Sequence, residues 1–286
     1  MTGTVLITGA RSGIGLATLK RFAEAGWNVI AAVRSNERAS DLEKQLAADG
    51  LTAQFAVFDL RDRAATDDAL AKIAASGLPD VIVNNAGVGT FGPIELSDDA
   101  SIDLTFETNL VAPLRIMRTL VPHFRERRSG VIVNVSSGLG FASDVGQGLY
   151  AASKHALEAI SEALFYELRP FGVRVAVVEP GLTATDIRDK SPVTPGYGPD
   201  SPYWNVISER IELLGGTLYK DGWIEDPATV ANTIYDAATD PQTPLFVPVG
   251  RDTRLSASLR GRDSLDTYEQ RSIDALRALA TSGAAA

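Results

Sequence analysis

The chain has 286 residues, of which 45% are hydrophobic and 22% charged, so its length and composition allow one large globular domain or two small ones. Its 27 basic and 36 acidic side chains give a formal net charge of −9, which argues against nucleic acids and anionic membranes as partners. With no cysteine, two histidines and no apolar run long enough to cross a bilayer, the sequence excludes disulfides and favours a cytoplasmic protein with no metal site and no membrane contact.

Short apolar segments alternate with helical segments along the chain. In chain order, we predict strands at residues 4–7, 28–33, 53–58, 80–83, 130–135, 173–178 and 245–249, and helices at 14–25, 37–48, 62–75 and 150–168. The strand segments are continuously apolar, which is typical of parallel strands covered on both faces. The alternation predicts an α/β fold: a doubly wound, Rossmann-like parallel sheet of about seven strands with helices on both faces.

A stretch rich in proline and glycine interrupts this pattern at residues 191–202. It could link two domains. Because the strand at 245–249 continues the same alternation, we favour a single domain over residues 1–286, with a lid inserted at about 183–222 and a C-terminal extension at about 251–280. The extension could place a helix over the site or over a neighbouring subunit, although its charges also fit a solvated face. Its apolar residues are Leu265, Tyr268, Ile273, Leu276 and Leu279.

A glycine-rich turn follows the first strand. Gly9, Gly13 and Gly15 have the spacing Gly-x3-Gly-x-Gly and stand just before the first helix. Glycines allow a tight turn and let backbone N–H groups approach a pyrophosphate at the positive N-terminus of the helix. A purely structural turn between strand and helix is the alternative. The cofactor-binding candidates in this turn are Gly9, Arg11, Ser12, Gly13, Ile14 and Gly15.

The end of the second strand indicates which dinucleotide would bind. An NAD site requires a carboxylate near this position, where it accepts a hydrogen bond from the ribose 2′-hydroxyl. Here Val33 is followed by Arg34, whose guanidinium suits a 2′-phosphate, and Arg11 could supply a second positive charge. The alternative for Arg34 is an ordinary solvated surface arginine. We therefore predict NADP(H) as the cofactor.

The other strand ends also carry small or polar residues. Ligands of open α/β sheets bind outside the carboxyl ends of the strands, so we expect these residues to contact the cofactor, with Asp59 accepting from the adenine amino group. Turns favour such residues in any case, which explains the glycines better than the hydrogen-bonding groups. The candidates are Asp59, Leu60, Asn85, Ala86, Gly87, Pro180 and Gly181.

Tyr150 and Lys154 lie four residues apart in a helical segment and therefore share one helix face. A tyrosine gives up its proton poorly at neutral pH, but a neighbouring ammonium stabilises the phenolate and lowers the tyrosine pKa. Such a tyrosine can pass a proton to or from a substrate oxygen. Ser137, at the end of the fifth strand, could hydrogen-bond the same oxygen. On its own, the Tyr-x3-Lys pattern also fits a core tyrosine beside a surface lysine.

Taken together, these motifs resemble those of the short-chain dehydrogenase/reductase family, in its shorter-chain branch. They match in order over residues 4 to about 190: Thr8-Gly9-x3-Gly13-x-Gly15, Asp59, Asn84-Asn85-Ala86-Gly87, Asn109, Ser137, Tyr150-x3-Lys154 and Pro180-Gly181. The enoyl reductase branch spaces its tyrosine and lysine more widely, and the extended branch uses Gly-x-x-Gly-x-x-Gly. Neither pattern fits this chain.

The resemblance implies a role for each matching residue. Ser137 would position the substrate carbonyl, Tyr150 would act as general acid/base, and Lys154 would bind the nicotinamide ribose and tune Tyr150. Asn109 would hold a water linking Lys154 to solvent, unless it only caps or kinks its helix. By the same resemblance, Asn84 mainly braces the sheet, Thr183 contacts the cofactor through its backbone, and Thr185 hydrogen-bonds the carboxamide.

The resemblance further implies an NADP(H)-dependent oxidoreductase that interconverts a carbonyl and an alcohol by hydride transfer. Phe91, Leu139, Phe141, Gln147 and Leu182 flank the expected site, and Tyr197, Tyr203 and Trp204 belong to the lid. These apolar and aromatic residues favour reduction of an apolar or aromatic substrate. The alternative is that the aromatic residues only pack in the core. The alternative function is a catalytically silent NADP(H)-binding sensor or scaffold. A homodimer or homotetramer is expected, formed through the Tyr150 helix and a helix around residues 104–124.

Overall fold

The computed structural model describes residues 2–187, 189–218 and 222–259, together with 271, 273–275, 277 and 278. Within them the strands are β1 (Thr4–Thr8), β2 (Asn28–Val33), β3 (Gln54–Val57), β4 (Val81–Asn84), β5 (Gly130–Val135), β6 (Val173–Pro180) and β7 (Phe246–Val249). All seven pair in parallel in one sheet with the order β3-β2-β1-β4-β5-β6-β7. The predicted fold class is therefore confirmed, and the strand predicted at 245–249 is the edge strand β7.

The helices of the described chain fill the connections between these strands. They are α1 (Gly13–Glu24), α2 (Asn36–Ala48), α3 (Arg63–Ser76), α4 (Asp99–Phe106), α5 (Ala112–Arg127), α6 (Gly148–Leu168), α7 (Trp204–Leu218), α8 (Pro227–Thr239) and α9 (Arg251–Leu259). A π-helical turn at Glu107–Val111 joins α4 to α5. The sequence patterns did not predict α7, which lies in the expected lid, or α8.

Local chemistry explains where several helices begin. Ser35 accepts a hydrogen bond from Arg38 N at the start of α2, and Asp62 accepts one from Ala65 N at the start of α3. Asp226 accepts from Ala228 N, with proline in the first position of α8, where no backbone N–H is needed. These caps satisfy donors that the helices themselves leave unpaired.

Apolar side chains cover both faces of the sheet. Along β1, Val5 and Ile7 belong to the core packed beneath α1, α2 and α8, whereas Leu6 belongs to the opposite core beneath α3, α5 and α6. This alternation follows from the two-residue period of a strand. Because both faces are buried, the strands are apolar without interruption, as the sequence shows.

The strand order reverses between β1 and β4, so the connections leaving these neighbouring strands run to opposite sides of the sheet. Such a reversal opens a crevice at the carboxyl ends of the strands. In the part of the chain that the structure describes, no helix is long and apolar enough to cross a membrane. Of the C-terminal extension predicted at about 251–280, α9 is described, but Leu265, Tyr268, Leu276 and Leu279 lie outside the described residues.

We expect Leu6→Ala to lower the free energy of unfolding by about 2–5 kcal/mol, because Leu6 is fully buried in the central strand and the change leaves a cavity. Chemical denaturation followed by circular dichroism measures the change. Ile94→Ala is the control, since Ile94 is 60% exposed and its truncation should cost less than about 0.5 kcal/mol. Equal losses for the two variants would contradict the packing described here.

Candidate active site

The carboxyl ends of the strands open into a cleft of about 1060 Å³. Nearly all the candidate site residues line it, although they are spread over much of the sequence: Gly9, Arg11, Ser12, Gly13, Ile14, Gly15, Arg34, Asp59, Leu60, Asn85, Ala86, Gly87, Ser137, Tyr150, Lys154, Pro180, Gly181, Thr183 and Thr185. Asn109 is the exception among the candidates, since it is fully buried behind the cleft wall. The fold therefore brings the candidates together around one space.

The glycine-rich turn has the conformation that its sequence predicts. Gly9 and Gly13 adopt φ angles of 67° and 54°, which residues with a Cβ rarely tolerate. A Cβ on Gly15 would overlap the backbone carbonyl of Gly9, so α1 can pack this closely only with glycine there. The turn thus leaves backbone N–H groups and the N-terminus of α1 facing the cleft, an arrangement that fits the pyrophosphate of a dinucleotide.

Hydrogen bonds tie this turn to the neighbouring β4 end. Thr8 Oγ1 accepts from the backbone N–H groups of Asn85 and Ala86, each at 3.0 Å, and Asn85 Nδ2 donates to Thr8 O at 2.9 Å. Asn85 therefore braces β1 against β4 with its amide while also lining the cleft. Asn84 braces the sheet on the other side, where its Nδ2 donates to Asn134 Oδ1 at 2.8 Å.

Three arginines line the end of the cleft beside β2. They are Arg11, Arg34 and Arg38, of which Arg38 was missed at the sequence level. The charge of Arg34 is the main cause of a lowered pKa for Arg38, and burial and the charge of Arg11 act in the same direction. The guanidinium of Arg38 is therefore close enough to those of Arg34 and Arg11 to be repelled by them, and an anion placed among the three would relieve that repulsion. Arg38 stands four residues after Arg34, which is the signal that could have identified it.

Asp59 is less available than the sequence suggested. Arg61 donates from Nε to Asp59 Oδ1 at 3.3 Å and from Nη2 to Oδ2 at 3.0 Å. These hydrogen bonds are the main reason that the pKa of Asp59 is lowered. Asp59 therefore lines the cleft as an ionised carboxylate that is already paired with Arg61, a residue that lines the cleft as well.

Ser137, Tyr150 and Lys154 converge at the ends of β5 and α6. Ser137 caps the short helical turn Gly138–Gly140, where its Oγ accepts from Leu139 N at 3.1 Å. Burial raises the pKa of Tyr150, and a hydrogen bond between the Tyr150 and Ser137 side chains partly opposes this effect. Lys154 Nζ lies 5.8 Å from the centre of the Tyr150 ring.

Lys154 is almost completely buried, at 3% exposure, and its Nζ donates to Val135 O at 2.8 Å. Burial lowers the pKa of Lys154 from 10.5 to about 8, while the charge of Glu158 opposes that decrease. Near neutral pH the site thus holds an ammonium group beside a tyrosine. The expected lowering of the Tyr150 pKa by Lys154 is not met, because burial raises that pKa and Ser137 is the group that opposes the rise.

Asn109 belongs to the π-helical turn and joins three elements. Its Nδ2 donates to Val88 O at 2.9 Å and to Ser153 Oγ at 3.0 Å, and its Oδ1 accepts from Val88 N at 2.8 Å. A Cβ on Gly87 would lie 3.4 Å from Asn109 Oδ1 and 3.6 Å from Lys154 Nζ, so all three groups surround one small space. The Asn109 amide therefore holds the loop after β4 to α6. The sequence did not predict this structural role.

Helix α9 contributes to the cleft through contacts that sequence motifs did not reveal. Asp252 Oδ2 accepts from Leu182 N at 2.7 Å, and a Cβ on Gly181 would overlap Asp252 Oδ1. Thr253 packs against Gly138, whose Cβ would approach Thr253 Oγ1 to 2.7 Å. Burial is the main cause of a raised pKa for Asp252. The loop after β6 and the turn after Ser137 therefore both rest on α9.

The lid is attached to the cleft at several points. Phe91 forms a bridge with Val193 and stacks edge-on against Tyr197, which in turn contacts Trp204. Tyr203 donates to Glu95, and Arg210 Nε donates to Asp144 Oδ1 at 2.9 Å, near the start of α6.

The expectation that five residues flank the site is only partly met, and the lid aromatics take the alternative of packing on other residues. Tyr197, Tyr203 and Trp204 pack on the lid and on residues 91–95, and they do not line the cleft. Phe91, Leu139, Gln147 and Leu182 line it as expected, but Phe141 does not. The lid instead contributes Ile187, Ile211 and Leu214.

A Rossmann-like sheet with a glycine-rich turn and a Ser–Tyr–Lys group at one cleft defines a class of dinucleotide-binding oxidoreductases. Comparison with known proteins gives the family: a sequence model described as short chain dehydrogenase matches residues 3–195. The chain belongs to this family, and it is an oxidoreductase.

Individual relatives agree with this assignment. The uncharacterised oxidoreductase YusZ of Bacillus subtilis is 32% identical over 260 residues, which cover 89% of this chain and 91% of that protein. A 3-ketodihydrosphingosine reductase of Bacteroides thetaiotaomicron is 32% identical over 73% of this chain and 75% of its own length.

Solved structures give the same result. A short-chain dehydrogenase from Streptomyces avermitilis superposes with a TM-score of 0.75 at 33% identity, covering 97% of this chain and 94% of that one. A metagenomic short-chain oxidoreductase in complex with NADP has a TM-score of 0.66 at 28% identity, with coverage of 86% and 96%. A 3-oxoacyl-[acyl-carrier protein] reductase from Brucella melitensis with bound NAD scores 0.68 at 28% identity, with coverage of 86% and 88%.

We expect Asn109→Ala to lower the free energy of unfolding by about 1–3 kcal/mol, because it leaves buried partners at Val88 and Ser153 without their hydrogen bonds. Urea denaturation provides the measurement. Gln45→Ala, at an exposed position of α2, is the control and should change stability by less than about 0.5 kcal/mol. If Asn109→Ala were as stable as this control, the bracing role would be wrong.

Proposed function

We propose that this protein is an NADP(H)-dependent oxidoreductase that interconverts a carbonyl and an alcohol and acts mainly as a reductase. The observation that carries the proposal is the convergence of Ser137, Tyr150 and Lys154 at a cleft whose other end holds three arginines. The first group suits proton transfer to a carbonyl oxygen, and the second suits a phosphate.

The preference for NADP(H) over NAD(H) rests on charge. β2 ends at Val33 and Arg34, where an NAD site would need a carboxylate, and Arg11 and Arg38 stand beside Arg34. A 2′-phosphate among them would reduce the repulsion between Arg38 and the other two, whereas a 2′-hydroxyl would not. Structural neighbours include both an NADP and an NAD complex, so the argument rests on these residues.

The volume of the cleft, about 1060 Å³, and its lining residues support binding of a dinucleotide. When bound, NADPH supplies the hydride that reduces the carbonyl carbon. The residues that would hold it follow the path of the cleft: Gly9, Arg11, Ser12, Gly13, Ile14, Gly15 and Arg34 for the phosphates, Asp59 and Leu60 for the adenine, and Asn85, Ala86, Gly87, Tyr150, Lys154, Pro180, Gly181, Thr183 and Thr185 for the rest. At the glycine turn, a Cβ on Gly15 would overlap the carbonyl of Gly9, so glycine there lets α1 begin close to β1 with its N-terminus at the cleft.

Each group of the reactive end has one task. Ser137 donates a hydrogen bond to the carbonyl oxygen and so positions it against Tyr150. Tyr150 gives its proton to that oxygen as the alcohol forms, and the Lys154 ammonium stabilises the phenolate that remains. Asn109 keeps the wall beside Lys154 in place and would hold the water through which Tyr150 regains its proton. In oxidation the same groups act in reverse.

The substrate we propose is an apolar or aromatic carbonyl compound. Phe91, Leu139 and Leu182 line the reactive end together with the lid residues Ile211 and Leu214. Apolar walls with few polar groups favour binding of an apolar molecule. The keto reductase among the relatives supports reduction of a ketone as the reaction type.

We further propose a homodimer or homotetramer built on the outer faces of α5 and α6. Leu114 on α5 is 41% exposed, and Tyr166 on α6 is 63% exposed. Burying such apolar surface in a subunit contact would be favourable. A single domain with a lid and a cytoplasmic location remain predictions.

We expect Tyr150→Phe to reduce kcat at least about 100-fold, because phenylalanine has no proton to transfer. NADPH binding, followed by its fluorescence, should persist. The assay monitors NADPH absorbance with a panel of ketones, aldehydes and quinones. Tyr166→Phe on the exposed face of α6 is the matched control and should keep full activity. Substantial turnover by Tyr150→Phe would refute the assignment, and tight NADPH binding by a wild type that turns over no carbonyl would favour a sensor or scaffold.

We expect Arg34→Asp to lower the NADP/NAD ratio of kcat/KM at least about tenfold, because a carboxylate repels a 2′-phosphate and accepts from a 2′-hydroxyl. Steady-state kinetics with both cofactors measure the ratio. Lys44→Asp makes the same charge change at an exposed position of α2 and should leave the ratio as it was. An unchanged ratio in Arg34→Asp would defeat the assignment of Arg34.

A further inference from the structure

Two glutamates lie buried beneath the reactive end of the cleft and have no part in the mechanism above. Glu158 is 8% exposed and Glu179 is 5% exposed. Glu158 stands on α6 one helical turn after Lys154, and Glu179 stands near the end of β6. Buried carboxyl groups are costly unless they are paired or protonated, so their presence here requires a physical reason.

The sheet places both carboxyl groups on the side covered by α6. Ile132 of β5 and Val175 of β6 belong to the same core cluster as Leu157 of α6. Ser136 and Glu179 follow these two strand residues by four positions each, and a strand's side chains repeat every second residue. Ser136, Glu179 and Glu158 therefore meet in one layer between the sheet and α6.

Glu158 is held tightly in this layer. Ser136 Oγ donates to Glu158 Oε1 at 2.5 Å, and a Cβ on Gly140 would overlap both Glu158 Oε1 and Ser136 Oγ. Ser136 directly precedes Ser137, and Gly140 is the last residue of the helical turn that Ser137 caps. The carboxylate thus supports the segment that carries Ser137 while remaining one helical turn from Lys154.

The positive charge of Lys154 balances the negative charge of the layer only if one of the two carboxyl groups is protonated. Burial, reinforced by the charge of Glu158, raises the pKa of Glu179 to about 8. The charge of Glu158 also opposes the loss of the Lys154 proton. Near neutral pH the layer would then contain one ammonium, one carboxylate and one neutral acid, with no net charge.

Other titratable groups on the surrounding elements are engaged elsewhere. Glu107, in the π-helical turn, pairs with Arg63, and Asp252 of α9 accepts from Leu182 N. The described segments β5, β7 and Gly138–Gly140 carry no titratable side chain. Besides Tyr150, Glu158 and Glu179 are therefore the ionisable groups that face Lys154 from α6 and β6.

We propose that Glu158 is a positioning residue that keeps Lys154 charged and Ser137 in place, and that it forms a pair with Glu179 in which one of the two buried carboxyl groups is protonated. The pair holds one proton near neutral pH, and Glu179 carries it. Only the link to turnover rests on the proposed function, since the protonated carboxyl group and the charge of Lys154 do not depend on which substrate binds.

Infrared spectroscopy tests for the protonated carboxyl group without any turnover. In the wild type, the carbonyl stretch of a protonated carboxylic acid should be present well below pH 8 and lost well above it. Glu179→Gln should lack this band. Glu162→Gln is the matched control, because Glu162 is an exposed residue one turn further along α6, and it should keep the band. Absence of the band in the wild type, or its undiminished persistence in Glu179→Gln, would overturn the pair even if no variant of Glu158 folds. Asp252→Asn identifies any contribution from the buried Asp252 carboxyl, whose pKa is also raised, and should leave the Glu179 band in place.

The pH dependence of NADPH affinity and of kcat/KM tests the effect on Lys154. Glutamine at 158 keeps the acceptor for Ser136 but removes the charge. Glu158→Gln should therefore move the alkaline loss of NADPH affinity and of kcat/KM to lower pH by about one unit. Above the Lys154 pKa of both proteins, this shift is an about tenfold loss relative to wild type. If Glu158 had only a structural role, no shift would be expected. An unshifted alkaline limb of the pH profiles would therefore refute the positioning role. If wild type reduces no carbonyl while NADPH affinity shows the shift, the proposed function fails and the pair stands.

Discussion

The hydrogen bonds between Thr8 and the backbone of Asn85 and Ala86 join the two halves of the sheet where its strand order reverses. Everything around the cleft depends on this junction. It sets the distance between the glycine turn after β1 and the loop after β4, and Asn109 then fixes that loop against α6 through Val88 and Ser153. A short series of polar contacts thus connects the phosphate end of the cleft to the reactive end. The contact between Asn109 and Ser153 is buried and the others are partly buried, so losing the former leaves a buried partner unsatisfied.

Electrostatics divide the cleft into two regions of different character. The chain as a whole carries a net charge of −9, yet the β2 end concentrates Arg11, Arg34 and Arg38. The repulsion of Arg38 by the other two arginines disfavours the folded state, and such a charge cluster is typical of a site that binds an anion. The reactive end instead buries a lysine against carboxyl groups. Global charge therefore says little about a local partner, and the distribution of charge within the cleft is more informative.

The sequence predicted the parts of the structure that follow from local rules. Continuous apolar runs identified the strands because both faces of a parallel sheet are buried, and Gly15 was identifiable because a strand-to-helix turn needs close backbone approach. Arg38, Asp252 and the Glu158–Glu179 pair were not predicted. Asp252 and Glu158 act through contacts between segments that are far apart in sequence, Asp252 with Leu182 and Glu158 with Ser136. No local sequence pattern indicates such contacts. Phe141 shows the converse error, since it was expected beside the site and does not line the cleft. For the lid aromatics the sequence left packing on other residues open, and Tyr197 packs on Phe91 and Trp204.

The contact between α9 and the loop after β6 brings residues from outside the matched family region to the wall of the cleft. The family motifs end by residue 195, but Asp252 and Thr253 support Gly181, Leu182 and Gly138 from the far end of the chain. The region that matches the family and the α9 part of the cleft wall thus lie in separate stretches of sequence. Substitutions in α9 would therefore act on the cleft wall beside Gly138 and Gly181 while leaving the matched motifs intact. Two chains with the same motifs can accordingly have clefts of different shape, and the α9 contacts are one place where such a difference would arise.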